Sequence, residues 1–424
     1  MMKINLLLGA ASAATQIEGG GFKHTWSDWY EKGRIKDGSN PARANDHLNR
    51  WKEDIDLMSS MGIRIYRMSV EWARLEPRKD FYDESALKWY RSLLEYIRSK
   101  SMFTLLTIHH FTNPLWFEES GGFANPKNIP VYLRLADYVV RNFGDLVDEY
   151  VTINEPNVFA VMGYHAGVFP PGIKSVFKAM RVQSVMASCH VLAYNLIHRL
   201  RREMGFMNTR VGFAHHARVF APKNKYNIFH RISASLSSLM FQDALAKACL
   251  LGRFGFPLRK YAKIRRGEYA DFIGLNYYTR STVSSLADGV NKNAPHNDLG
   301  WEIYPEGIAE CAASLYKLIQ RPVFITENGT CDNSDSFRCR YIYDHLKTLE
   351  QSGLPVERYY HWCFTDNFEW CEGESARFGL VHVDFKTQKR TVKKSGSFFT
   401  SIIKNKGVTD AAYNEFVAKQ EYKK

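Results

Sequence analysis

No run of about 18 or more apolar residues occurs in the chain, so no membrane-spanning helix is predicted. GxGxxG is absent, and so is GxxxxGK followed by Ser or Thr, which removes the common dinucleotide and nucleotide phosphate loops. HExxH is missing too, and the adjacent pairs His109–His110 and His215–His216 lack metal-ligand spacing by themselves, so neither metal nor cofactor is expected. Cysteine is sparse: seven in 424 residues, an odd number with no CxxC pair, which predicts free thiols in a reducing compartment. Cys331 and Cys339 are spaced to bridge a loop only if the chain is exported. No Pro/Gly/Ser-rich linker or low-complexity tract divides the sequence, and residues 1–424 read as one domain.

What is present suits a large core, with 45% hydrophobic and 14% aromatic residues. Lys and Arg outnumber Asp and Glu, 57 to 44, for a net charge of +13. These charges show no obvious concentration. The densest stretches, 253–266 and 386–406, carry no nucleic-acid module and read as solvated helix faces and loops, so no nucleic-acid partner is expected, and with no spanning run no membrane partner is expected either. The opening MMKINLLLGAASAATQ imitates a secretory signal, with one Lys, a short apolar run and small residues. It runs directly into Gln16, and it reads instead as a buried first strand of a cytoplasmic protein.

Short runs rich in apolar and β-branched residues recur at 5–12, 63–69, 103–109, 150–155, 210–215, 271–277, 322–327 and 358–363. Between them, helical periodicity appears at 48–61, 84–100, 131–143, 176–204 and 308–320. Alternating strands and helices allow either a closed parallel barrel or an open doubly wound sheet. The polar residues favour the barrel. Gln16, Arg67, His110, Asn154, Glu155, Asn276, Glu327 and Trp362 lie at or just beyond the C-terminal ends of seven of the eight predicted strands. In an α/β fold of the (β/α)₈ TIM-barrel type those ends converge on the face where active sites are built.

Two carboxylates stand out, Glu155 in VTINEPN and Glu327 in FITENGT. Each ends an apolar run, an expensive place for a charge unless it is paired or functional. Glycoside hydrolysis needs such a pair: at a separation of about 5 Å one attacks the anomeric carbon while the other protonates the leaving oxygen, and a wider gap admits water and inverts. The structural alternative is a pair of barrel glutamates bridged to Arg67.

TINEP and ITENG, together with GAASAATQIEGG, TIHHFTNPLWF, FIGLNYYT, WEIYPEG and DNFEWCEG, resemble the signatures of glycoside hydrolase family 1 along essentially the whole chain. The resemblance implies a retaining β-glycosidase of the β-glucosidase type, with Glu155 as acid/base and Glu327 as nucleophile. It further implies that Gln16, His110, Asn154, Glu369 and Trp370 bind the glycone hydroxyls and that Trp362 is the platform under the sugar. Asn276 and Tyr278 match the pair around the nucleophile, and Arg67 the guanidinium that keeps it ionised. Trp301 matches a leaving-group aromatic and Phe378 a pocket wall. Leu8, Phe111 and Phe123 depart from the family's frequent aromatics, and 217–269 matches more weakly, which bears on the outer pocket and the aglycone.

A small glycoside or oligosaccharide is the expected partner, with glucose, galactose or fucose as glycone. The rivals are a 6-phospho-β-glycosidase, a transglycosidase on the same barrel, and a catalytically inactive sugar-binding module; the presence of both glutamates speaks against the last. In the phosphosugar branch of the resembling family the position of Glu369 is typically Ser. Here a negative charge at Glu369 is expected to repel a phosphate, and Arg377 is the only cation from Asp366 to Leu380.

Overall fold

The structure, a computed structural model, describes residues 2–285, 288–291 and 293–423. Eight parallel strands close into a barrel: β1 (Leu7–Ala11), β2 (Ile65–Ser69), β3 (Phe103–His109), β4 (Glu149–Asn154), β5 (Arg210–His216), β6 (Ile273–Tyr277), β7 (Val323–Asn328) and β8 (Val356–Trp362). Each pairs with its neighbours in chain order, and β8 closes the ring onto β1. The α/β barrel expected from the sequence is therefore the observed architecture. Its strands are buried almost end to end, as parallel strands covered by helices require.

The surrounding helices include α1 (His47–Ser60), α2 (Glu84–Ser99), α3 (Ile129–Phe143), α4 (Val176–Glu203), α5 (Ile228–Ser238), α6 (Ala244–Leu251), α7 (Glu306–Tyr316), α8 (Arg338–Gln351) and α9 (Lys394–Asn405). In α2, Asp83 caps the start by accepting from the Ser85 and Ala86 N–H groups at 2.8 and 2.9 Å. Ala86, Tyr90, Leu93, Leu94 and Ile97 then recur at helical spacing and bury one face.

The segment that imitates a secretory signal supplies β1, hydrogen-bonded along its length to β8. Gln16 lies on a short helix, Ala14–Ile17, and Arg67 is the third residue of β2 rather than its last, a correction to the placement of both at strand ends. Three small antiparallel or mixed sheets were not predicted: Val219–Pro222 with Arg280–Val283 and Asp288–Gly289, Val381–Val383 with Arg390–Val392, and Met2–Lys3 with Gly407–Val408. Strands of two to four residues are too short to show alternation. All seven cysteines are buried and free, Cys331 and Cys339 included. Among the described residues no helix is long and apolar enough to cross a membrane.

Candidate active site

A cavity of about 380 Å³ opens at the C-terminal ends of the barrel strands, within the range of small-molecule sites. Glu155, Glu327, His110, Asn154, Tyr278, Trp301, Trp362, Glu369, Trp370 and Phe378 all line it. Gln16, Arg67 and Asn276 do not reach its surface; they stand fully buried behind the lining.

Local backbone aims both carboxylates. The β7 ladder shifts register between Ile325 and Glu327, and the β4 ladder between Val151 and Asn154. Such irregularities re-aim side chains next to active sites. Glu155 then takes left-handed backbone (φ 42°) before Pro156 opens a short helix. Phe111 (φ 65°) and Trp370 (φ 51°), also in the cavity wall, share that conformation. It costs a residue with a Cβ about 1 kcal/mol or more and clusters at functional sites. Beyond β7, a Cβ on Gly329 would lie 1.8 Å from the Trp362 carbonyl oxygen, so glycine alone lets the ends of β7 and β8 meet beside the cavity.

The two glutamates have unlike partners. Glu327 accepts from the Arg67 guanidinium on Oε1 and from the Tyr278 hydroxyl on Oε2 at 2.6 Å. Arg67 also donates to the Thr326 carbonyl at 3.1 Å, to Asn154 Oδ1 at 2.7 Å and to Thr107 Oγ1 at 3.2 Å, so a dense set of bonds fixes its orientation. Glu155 meets no cation directly. Its Oε1 accepts from Asn276 Nδ2 at 2.8 Å and sits 3.1 Å from His216 Nδ1. Burial lowers the His216 pKa, so the imidazole is neutral; Arg218 faces its Nε2 at 3.2 Å, which leaves the ring proton on Nδ1, directed at Glu155.

Burial raises the Glu327 carboxyl pKa, against the pull of Arg67, and the nearby Glu155 raises it further. The guanidinium acts downward on this carboxyl, in the direction expected of it, against a larger upward push from desolvation. Glu369 is likewise pushed up, by burial first, to about 8. Burial therefore works against the negative charge that the sequence reading places beside the sugar. Tyr278→Phe removes a donor that favours ionised Glu327. The acid limb of kcat/KM then moves to higher pH, and kcat/KM on that limb falls by about tenfold; a pH–rate profile of both proteins measures the shift.

Aromatic rings shape the rest. The His110 ring lies near-parallel to Trp362 and Trp370, with centroids 5.7 and 5.8 Å away. Trp301 and Phe378 are 6.0 Å apart, and Tyr278 stands edge-on to both. Of the departing positions, Phe111 lines the cavity, whereas Phe123 packs behind it on His109 and Leu8 is core. His216 is the residue that sequence reasoning passed over. It ends β5, the one strand with no polar end residue singled out, so the rule that picked the other seven strand ends also points to it.

A closed (β/α)₈ barrel with two buried carboxylates in one aromatic-walled cavity at its C-terminal face defines a glycoside hydrolase. The sequence profile described as glycosyl hydrolase family 1 matches residues 2–408, and the chain belongs to that family. It is a β-glycosidase. Beta-glucosidase A of Thermotoga maritima is 30% identical to it over 444 residues, covering 95% of this chain and 98% of its own. The β-glycosidase from Pyrococcus horikoshii superposes with a TM-score of 0.88 at 31% identity, covering 98% of each chain. The Thermotoga maritima β-glucosidase solved in complex with glucoimidazole gives 0.87 at 28% identity, over 96% of this chain and all of that one.

Proposed function

We propose that residues 1–424 act as one catalytic domain that removes terminal, unphosphorylated β-linked glucose, galactose or fucose from glycosides in the cytoplasm, with retention. The contrast between the carboxylates carries this reading. Glu327, held by a guanidinium and a phenol that both stabilise its ionised form, is the nucleophile. Glu155, held by an amide and a neutral imidazole, is the group able to carry a proton to the leaving oxygen.

In the first step a Glu327 oxygen bonds to the anomeric carbon as the glycosidic C–O bond breaks, and the Glu155 proton goes to the departing aglycone oxygen. The glycosyl ester removes the charge of Glu327. In the second step Glu155, now a carboxylate, takes a proton from water while that water attacks the anomeric carbon and Glu327 leaves. Two inversions retain the β configuration.

Trp362 and Trp370 supply flat apolar contact for the sugar's C–H faces. Among the described residues His110 Nδ1 is buried without a partner beside the cavity, a state that a hydroxyl of a bound glycone relieves. Gln16 Nε2 donates to Glu369 Oε2 at 3.2 Å, so from behind the lining the amide orients a carboxyl that faces the cavity. The sugar-like glucoimidazole bound by the Thermotoga maritima enzyme accords with this class of ligand.

A 6-phosphate finds little support. Arg377 donates to Asp366 and to the Val383 carbonyl at 3.3 and 2.8 Å and lies over the Phe385 ring, so it is engaged outside the cavity. Lys36 at the rim is paired to Glu372 at 2.5 Å. Turnover of nitrophenyl β-glucoside and its 6-phosphate, with the first-formed sugar followed by NMR, tests the whole reading. The expected results are preference for the unphosphorylated substrate and an initial β anomer. An α anomer overturns the mechanism, and a preference for the phosphate overturns the substrate class.

A further inference from the structure

Helix α5 leaves an apolar face in solvent. Ile228, Phe229 and Ile232 are 54%, 74% and 56% exposed, and Leu236 is exposed as well. At 100° per residue these four fall within about 100° of one another around the helix axis, one continuous stripe. Ala234, the residue that α5 buries, lies on the opposite side, where the helix packs on the strand Val219–Pro222. Tyr226, just before the helix, is exposed with the Lys225 ammonium 5.1 Å from its ring centre.

The segment that carries α5 is strongly basic in sequence. Residues 217–266 hold eleven Lys and Arg against a single acidic residue, Asp243, so ten of the chain's thirteen net positive charges fall in this segment. Ten of the eleven, all but Arg218, are exposed, and among the described residues none of those ten is held in an ion pair. Lys223 and Lys225 lead into the helix, and Arg231 borders the stripe on it.

Apolar side chains ringed by unpaired cations complement a surface that is hydrocarbon below and anionic above, the headgroup boundary of an anionic bilayer. We propose that α5 and its basic surroundings dock the protein onto an anionic lipid surface, lying in the interface without crossing it. A second copy of the chain suits the stripe less well. A two-fold interface through it brings two copies of the same basic segment together, ten net positive charges against ten. The proposal departs from the sequence expectation of dispersed charge and no membrane partner, which rested on the absence of a spanning segment.

Co-sedimentation of the full chain with vesicles of phosphatidylglycerol and phosphatidylcholine in equal parts, and with phosphatidylcholine alone, tests it. The protein sediments with the anionic vesicles, and its affinity falls about tenfold or more on neutral vesicles or at high salt. The double variant Phe229→Ser/Ile232→Ser loses about tenfold in vesicle affinity while turnover of soluble nitrophenyl β-glucoside is unchanged. Lys223→Glu/Lys225→Glu/Arg231→Glu loses anionic binding with the stripe intact. Failure of the wild-type protein to sediment with anionic vesicles overturns the proposal, as does binding of the Phe229/Ile232 variant equal to wild type. Wild-type dimers that this variant dissolves, seen by sedimentation equilibrium, also overturn it and assign the stripe to a second copy.

Discussion

Glu327→Gly is expected to lower hydrolysis of nitrophenyl β-glucoside by about 10⁴-fold or more, because the carboxylate proposed to form the glycosyl ester is gone. Arg67, Tyr278 and Asn276 remain, so the loss falls on the chemical step. Azide restores turnover by entering the space the carboxylate leaves, and one inversion from that side gives an α-glycosyl azide. The removal also strands the Arg67 guanidinium, which is fully buried. Breaking a buried ion pair from one side costs about 3–5 kcal/mol. Glu327→Gln keeps the shape and a hydrogen-bond acceptor, so it melts closer to wild type and is equally inactive; a Gln variant with substantial turnover removes Glu327 from the mechanism.

Glu155→Ala separates substrates by their leaving groups. Poor leaving groups need a proton as the bond breaks, and their kcat/KM drops by about 10²–10⁴-fold. Dinitrophenyl glycosides depart unaided, so formation of their glycosyl ester is little slowed and the ester accumulates, visible as a burst. Azide then accelerates release from the face where water normally attacks and yields a β-glycosyl azide, the opposite anomer to that from the Glu327 variant. Equal losses on both substrate classes place the acid elsewhere. Because Glu155 is bonded to Asn276 and His216 but to no guanidinium or ammonium, its removal strands no partner charge, and the variant is expected to remain folded.

The barrel and the carboxylate pair were legible in the sequence for local reasons. A buried parallel strand must be a short run of apolar and β-branched residues, and a polar side chain at its end is tolerated only where it faces the barrel mouth. Glu155 and Glu327 satisfy both conditions, and TINEP and ITENG carry them in short unbroken motifs. His216 satisfied them as well, at the end of β5, but next to His215 it read as a failed metal pair rather than as a strand end. The small sheet built from Val219–Pro222 and Arg280–Val283 was hidden because its strands are four residues each and lie far apart in sequence.

The sequence by itself determined the (β/α)₈ class, the eight strands and the two strand-end glutamates that the cavity brings together, since periodicity and strand-end chemistry act over a few neighbouring residues. Only the tertiary structure decided how their partners divide, and it corrects Asn276, which the resemblance put beside the nucleophile and which bonds Glu155 instead. Arg67 and Tyr278 come to Glu327 from β2 and the end of β6, Asn276 and His216 come to Glu155 from β6 and β5, and Glu369 is buried until its pKa stands near 8. Proton affinity follows from burial and from charges within a few ångströms, and residues far apart along the chain set both only once the barrel has closed.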